Sequence, residues 1–145
     1  SRRIVGEYEL CYNDYINRRE FPDQIGVFNK FVDIHPYDCS RGEYDKFVQS
    51  KDNERLGEGE YFGIPYGIIV PKGWKNLWVA GRCVSADVKV QGAIRVMPAS
   101  AMMGQAAGTA AVLAINNSET ADQLNTKRLI EALRKQGAFL PQKDL

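Results

Sequence analysis

The sequence predicts an α+β fold, in which a β-rich first half precedes one short apolar strand and two closing helices. Short segments rich in β-forming residues dominate residues 1–70, whereas residues 98–116 and 126–136 have helical patterns. The chain has 145 residues, 44% hydrophobic and 26% charged, which suits one folded core in a globular protein. Its net charge of +1 gives no reason to expect nucleic acid or an anionic membrane as a partner.

The first half is predicted to consist of extended segments joined by turns. Residues 2–10 and 26–35 have the composition of strands. Residues 61–70 predict a strand that Pro65 interrupts, because proline cannot donate a hydrogen bond to a sheet. The charged and glycine-bearing stretch 36–59 is predicted to be a surface loop.

The second half is predicted to begin with a short strand at residues 77–80, whose continuous apolar character is typical of a buried parallel sheet. A loop containing Asp87 and Lys89 is expected between this strand and the helix at 98–116. Asn125 is the predicted N-cap of the last helix, and Gly137 is predicted to end it. Asp87 and Lys89 could face a substrate, and solvated loop charges are the alternative.

Cysteine and histidine usage excludes several kinds of site. Cys11, Cys39 and Cys83 have no CxxC spacing, so neither a zinc site nor a redox pair is predicted. Free thiols and a bridge between Cys11 and Cys39 both remain open. With His35 as the only histidine, a histidine metal cluster or a Ser-His-Asp triad within the chain is not expected.

An excess of positive charge lies around the predicted strand and the start of the long helix. Residues 71–97 carry five basic side chains and one acid, Asp87. Arg82 follows Gly81 at the end of the predicted strand, where ligands sit in open α/β sheets. Arg95 stands between apolar neighbours and is predicted to be half-buried, so that it needs a partner. That partner could be a cofactor phosphate, a substrate carboxylate or an acidic side chain of the protein.

The start of the long helix suits an anion. A proline at its first position, Pro98, would leave the next amides, of Ala99, Ser100 and Ala101, free to bind one. Gly104 would let a flat ligand lie against the helix. The alternative is a buried helix with alanines for tight packing and structural arginines, in a non-catalytic β-rich binding or interaction module.

Three segments together resemble the C-terminal block of the FAD-dependent oxidoreductase family. They are residues 78–86 (WVAGRCVSA), 92–98 (GAIRVMP) and 104–111 (GQAAGTAA). Shorter matches cover residues 1–6, 33–35, 64–66, 68–73 and 133–137.

The resemblance implies a glutathione-reductase-like flavoprotein architecture. Residues 1–70 would be the tail of a β-rich substrate-side domain, and residues 71–145 the C-terminal part of the FAD-binding α/β domain, with its last strand and closing helices. Flavin would exchange a hydride with a small organic substrate. The residues that the resemblance places at FAD are Ala80, Gly81, Arg82, Arg95, Val96, Met97, Ala99 and Gly104.

Two departures from the family pattern qualify this interpretation. The dinucleotide fingerprint GxGxxG is absent, so the chain is expected to be one piece of a longer protein, to bind FAD weakly or not at all by itself, and to be inactive alone. Val88 and Lys89 stand where the family often has a His-Glu pair, so no catalytic residue is assigned. The expected partners are the rest of the parent chain and, through exposed strand edges, a second copy.

Overall fold

The computed structural model describes residues 2–34, Gly42, Asp45 and 55–141. Within them the protein is α+β, as predicted, with an antiparallel two-stranded sheet and four helices of five or more residues. The elements are α1 (Tyr12–Ile16), β1 (Gln24–Phe28), β2 (Phe62–Pro65), α2 (Val88–Ile94), α3 (Met97–Asn117) and α4 (Thr126–Lys135), with short 3-10 turns at Tyr66–Ile69 and Gly81–Cys83.

The sheet is shorter than the sequence predicted. β1 pairs with β2 between Gln24↔Pro65 and Phe28↔Phe62, with an irregularity between Gln24 and Gly26. Residues 29–34, which belong to the strand predicted at 26–35, have no regular structure. The strand predicted at 61–70 ends at Pro65, where the 3-10 turn begins. Most of the predicted loop at 36–59, together with His35 and Cys39, lies outside the described residues.

Separate segments share the hydrogen bonds of residues 66–70, which explains why a strand does not continue there. The backbone amide of Tyr8 donates to the carbonyl of Gly67 at 3.2 Å. The amide of Ser85 donates to the carbonyl of Ile68 at 3.0 Å, and the amide of Val79 to that of Ile69 at 2.9 Å. A ladder requires one partner strand that continues alongside. Because three different segments supply these donors, the backbone turns instead of extending.

The prediction of a buried strand at residues 77–80 is wrong. No strand is assigned there, Leu77 is 38% exposed, and the three residues that follow are half-buried. The backbone amide of Val79 donates to Ile69, but the described residues supply no continuous ladder on either side. An all-apolar strand is stable inside a parallel sheet only when neighbours satisfy both of its edges.

The long helix α3 organises the core of the second half. Its inward face is lined by small residues that let β1 approach closely, and a Cβ added at Gly26 would lie 1.8 Å from the sulfur of Met102. Leu129 and Leu133 of α4 are buried in the same core. The fully buried side chains of α3 are Ala99, Met103, Ala106 and Ala110, with Ala114 nearly so.

The two closing helices were predicted well, whereas α2 was missed. α3 begins one residue before Pro98, and the Asn125 side chain accepts from the amides of Lys127 and Arg128 at the start of α4. Gly137 has a φ of +86°, the left-handed conformation that ends a helix. The expected loop before α3 instead contains α2, which Asp87 caps. Within the described ranges, no helix combines the length and apolar character that crossing a bilayer requires.

Candidate functional site

The candidate site is built around the turn Gly81–Cys83, which lies against the first turns of α3. Gly81 has a φ of +82°, a conformation that side chains with a Cβ rarely adopt. A Cβ added at Gly81 would lie 3.6 Å from the hydroxyl oxygen of Ser100. The turn therefore places Gly81 beside α3, and the predicted cofactor residues of the two segments are neighbours in space at this point.

The carbonyls of this turn are engaged by the protein, whereas its first two amides, of Gly81 and Arg82, are open. The carbonyl of Gly81 accepts from Val84 N at 3.4 Å, and that of Cys83 accepts from Ile4 N at 2.9 Å. The carbonyl of Arg82 accepts from the side-chain Nε2 of Gln91 at 2.5 Å. Within the 3-10 turn the amide of Cys83 faces the carbonyl of Ala80, three residues earlier. In the part of the chain that the structure describes, no acceptor binds the amides of Gly81 and Arg82. Successive open amides of this kind form an anion-binding concavity.

Arg82 and Arg95 were both predicted to face a ligand, and their surroundings differ. Arg82 is exposed, and its guanidinium makes no ion pair or hydrogen bond with any described residue. Arg95 donates from Nη2 to the carbonyl oxygen of Asp33 at 2.9 Å. The predicted partial burial of Arg95 is wrong, because α2 ends at Ile94 and the next side chain points out of the core. Arg82 is thus the cation with free donors.

The start of α3 offers fewer free amides than predicted. Because the helix begins at Met97, the amide of Ser100 already donates to the carbonyl of Val96 at 3.0 Å, and Ala101 follows it within the helix. The predictions of free amides at Ser100 and Ala101 are therefore wrong. Proline has no N–H, so only Met97 and Ala99 carry amides ahead of the helical ladder.

The outward face of α3 is apolar and open. Met97 is 86% exposed and Ile115 is 79% exposed. Ala101, Gly104 and Gly108 are exposed on the turns between them, and a Cβ added at either glycine would meet no atom within 4 Å. Gly104, one of the predicted cofactor residues, therefore leaves a shallow surface on which a flat group has room to lie.

Asp87 and Lys89 both make contacts that stabilise the fold. The carboxylate of Asp87 accepts from the amide of Val90 at 2.8 Å and from the amide of Tyr12 at 2.5 Å, so one side chain caps both α2 and α1. The ammonium of Lys89 lies 3.9 Å from the centre of the Tyr12 ring, a cation–π contact. Sequence reasoning missed Gln91, for which the only local signal is its place one helical turn after Asp87.

A second polar cluster, which we call the Asp14 cluster, consists of Asp14, Tyr8, Cys11 and Arg19. Asp14 is 2% exposed. Its carboxylate accepts from Tyr8 OH at 2.8 Å, from the amide and the thiol of Cys11 at 3.1 and 3.2 Å, and from Arg19 Nη1 at 2.9 Å. Burial by itself raises the pKa of Asp14, but these hydrogen bonds outweigh it and the pKa lies below its ordinary value. Burial and the neighbouring carboxylate raise the pKa of Tyr8 to about 12.

Tyr66 is also tied into the fold. Its hydroxyl donates to the carbonyl of Ala121 at 2.8 Å and accepts from the indole of Trp78 at 2.6 Å. Burial raises the pKa of Tyr66 to about 12, so this phenol stays protonated at neutral pH.

Cys11 and Cys83 are free thiols. Over the described ranges, no group of three His, Cys, Asp or Glu side chains has an arrangement that could hold a metal ion.

The donors around the turn fit the phosphate-bearing part of a dinucleotide cofactor. The open amides of Gly81 and Arg82, an Arg82 guanidinium that no described residue binds, and a glycine in the left-handed region together allow close approach of an anion. The apolar face of α3 beside them suits a flat ring system. These residues do not include a complete dinucleotide site, because the chain has no GxGxxG segment.

Comparison with known proteins gives one result that bears on this geometry. A family model described as FAD dependent oxidoreductase matches residues 1–134. No curated protein and no solved structure shows a significant match. The matched segment includes both the Gly81–Cys83 turn and the whole of α3. The chain belongs to the FAD dependent oxidoreductase family.

Proposed function

We propose that this chain is the C-terminal part of a larger flavoenzyme, in which it completes the binding site for FAD. The observation that carries the proposal is the combination of free donors at the Gly81–Cys83 turn with the open start of α3, in a chain of this family. Residues 1–70 would belong to the substrate-side domain, and residues 71–145 to the FAD-binding domain.

Two groups of residues would hold the cofactor. At the turn that follows Ala80, the Arg82 side chain and the backbone amides of Gly81 and Arg82 would bind the pyrophosphate through charge-assisted hydrogen bonds. The junction of α2 and α3 would approach the flavin ring, since Met97 is exposed there. The residues of that junction and of the first turns of α3 are Arg95, Val96, Met97, Ala99 and Gly104.

FAD, when bound, supplies the hydride chemistry, and the substrate would be a small organic molecule. The chain's own residues would orient the cofactor and hold its negative charge with Arg82. Without a GxGxxG segment the chain lacks the contacts that normally bind the adenosine side, so we expect it to be inactive alone.

The first test compares visible absorption of two purified proteins, the full-length protein and this chain, each incubated with FAD and then freed of unbound cofactor. Flavin bands near the usual positions in the full-length protein, and none in the chain, are the expected result. If the full-length protein retains no flavin after added FAD, the proposal is wrong. Flavin retained by the chain alone would show that residues 1–145 are sufficient to bind FAD. It would contradict the expectation that the chain needs further residues to bind the cofactor.

A second test addresses the contribution of Arg82 to FAD binding. Arg82→Gln removes the unengaged guanidinium, and a lost hydrogen bond to a charged group costs about 1.5–3 kcal/mol. The dissociation constant for FAD should therefore rise about tenfold to 100-fold in the full-length protein. Arg2→Gln is the matched control, because Arg2 is likewise exposed and lies outside the turn. Equal effects of the two substitutions would remove Arg82 from the site.

A further inference from the structure

Helix α2 determines how the Gly81–Cys83 turn is oriented. Gln91 is half-buried, and its Nε2 donates to the carbonyl oxygen of Arg82 at 2.5 Å. In a trans peptide the carbonyl and the following N–H point in opposite directions. A carbonyl of Arg82 that is held toward α2 therefore aims the amide of Cys83 away from α2 and toward the carbonyl of Ala80, which keeps the 3-10 turn closed.

Gln91 can act in this way because α2 is held at its N-terminus and along its packed face. Its N-terminus is capped by Asp87, whose backbone amide donates to Leu10 at 3.0 Å. Farther along, a Cβ added at Gly92 would lie 2.9 Å from the Ile34 side chain, so that face of the helix packs against another segment without free space. Val90 and Ile94 are fully buried. The helix has little freedom to rotate, and the Gln91 side chain is presented to the turn.

We infer that Gln91 is a positioning residue for the cofactor: it holds the turn in the orientation that presents the amides and Arg82 to the phosphates of FAD. Gln91 does not itself touch the cofactor, and it acts through the Arg82 carbonyl. This inference rests on the proposed function and names a residue that the motif resemblance does not. A flip of the 82–83 peptide would turn the Cys83 amide away from the Ala80 carbonyl and open the 3-10 turn, which would displace Arg82 and the amides of Gly81 and Arg82 from the anion.

The test uses the full-length protein and three substitutions. Gln91→Met keeps the length of the side chain and removes the donor, Gln91→Arg keeps a donor at similar reach, and Gln123→Met is the control at an exposed position outside the turn. For each, the dissociation constant for FAD is measured by titrating the apoprotein, and the Tm of the apoprotein is recorded. A single hydrogen bond of ordinary strength corresponds to about a threefold to tenfold change.

Gln91→Met should raise the dissociation constant by that factor with the apoprotein Tm near that of the wild type, whereas Gln91→Arg and Gln123→Met should bind FAD as tightly as the wild type. An unchanged constant in Gln91→Met overturns the inference. So does a rise that is matched by a fall in Tm and that Gln91→Arg fails to rescue, since a purely structural residue behaves in that way. Absence of FAD binding by the wild type would instead contradict the proposed function.

Discussion

The Asp14 cluster and the Gly81–Cys83 turn both place an arginine beside polar backbone, and they differ in how these groups are satisfied. In the Asp14 cluster the carboxylate accepts four hydrogen bonds, all from residues 8–19, and Arg19 is one of the donors. In the turn the carbonyls are engaged, but the amides of Gly81 and Arg82 and the Arg82 guanidinium have no partner among the described residues. A buried polar group must be paired, so the first cluster stabilises the fold, whereas the open donors of the second are available to a ligand.

The largest effect on stability is expected from Asp14→Ala. The substitution leaves the Cys11 amide and the Tyr8 hydroxyl without their shared acceptor, and the loss of hydrogen bonds to a charged group should cost about 3 kcal/mol. Thermal unfolding of the protein measures this. Glu9→Ala, an exposed acid in the same segment, is the control and should change little. If both variants unfold at the same temperature, the Asp14 cluster does not stabilise the fold.

Asp87→Ala should have the next largest effect. It removes the caps of α1 and α2 together, and one lost cap costs about 1 kcal/mol, so the pair should cost about 2 kcal/mol. Tyr12 and Val90 donate to different carboxylate oxygens, so Asp87→Asn keeps one acceptor and places an NH2 group against the other amide; it should lose at least half of that. Urea unfolding monitored by far-UV circular dichroism compares the two variants. An asparagine variant as stable as the wild type would contradict the double role of Asp87.

Gly81→Ala and Gly73→Ala form a matched pair that sharpens the comparison. Their φ angles are +82° and +81°, and an added Cβ would meet no atom closer than 3.6 Å at either position. Each should therefore cost about 1 kcal/mol of stability through backbone strain alone. Only Gly81→Ala should also weaken FAD binding by the full-length protein, measured by titration. Equal FAD affinity in the two variants would place the cofactor away from the turn.

The smallest effect concerns pH. The pKa of Asp14 is lower in the folded chain than its ordinary value, so its contribution to stability is present above the unfolded pKa, about 4, and is lost as the pH falls through the folded value. The difference in Tm between the wild type and Asp14→Asn should be constant near neutral pH and shrink below about pH 4. A difference that grows on acidification would contradict this assignment.

The helices were predictable and the sheet was not, and the reason is the range of the interactions involved. Asn125 and Gly137 act on amides and carbonyls within a few residues, so their effect on α4 was visible in the sequence. Residues 77–80 look like a buried strand by composition, yet a strand requires partners that composition does not describe. α2 was missed because its cap, Asp87, has no acidic or glutamine partner in the usual capping-box position.

The residues of the candidate site stay a prediction, and its geometry was predicted only in part. Gly81, Arg82, Arg95 and the start of the long helix were singled out from the residues themselves, and the resemblance to a family added Ala80, Val96 and Met97. The expected burial of Arg95 and the free amide of Ser100 were wrong, since both depend on the residue at which a helix begins or ends. Element boundaries of this kind are sensitive to a single hydrogen bond.

The sequence by itself determined the α+β class, the two closing helices and the family, because caps, helical periodicity and motifs are local or contiguous properties of a chain. Only the tertiary structure decided that no described residue binds the Arg82 guanidinium, that Asp87 binds the first turns of two helices and that Gln91 contacts the turn. Asp87 and Tyr12 are 75 residues apart, and the amide of Ile4 donates to the carbonyl of the distant Cys83. Hydrogen bonds between such distant residues form only when the chain folds around one core. A local sequence pattern therefore does not predict which residues will be the donors.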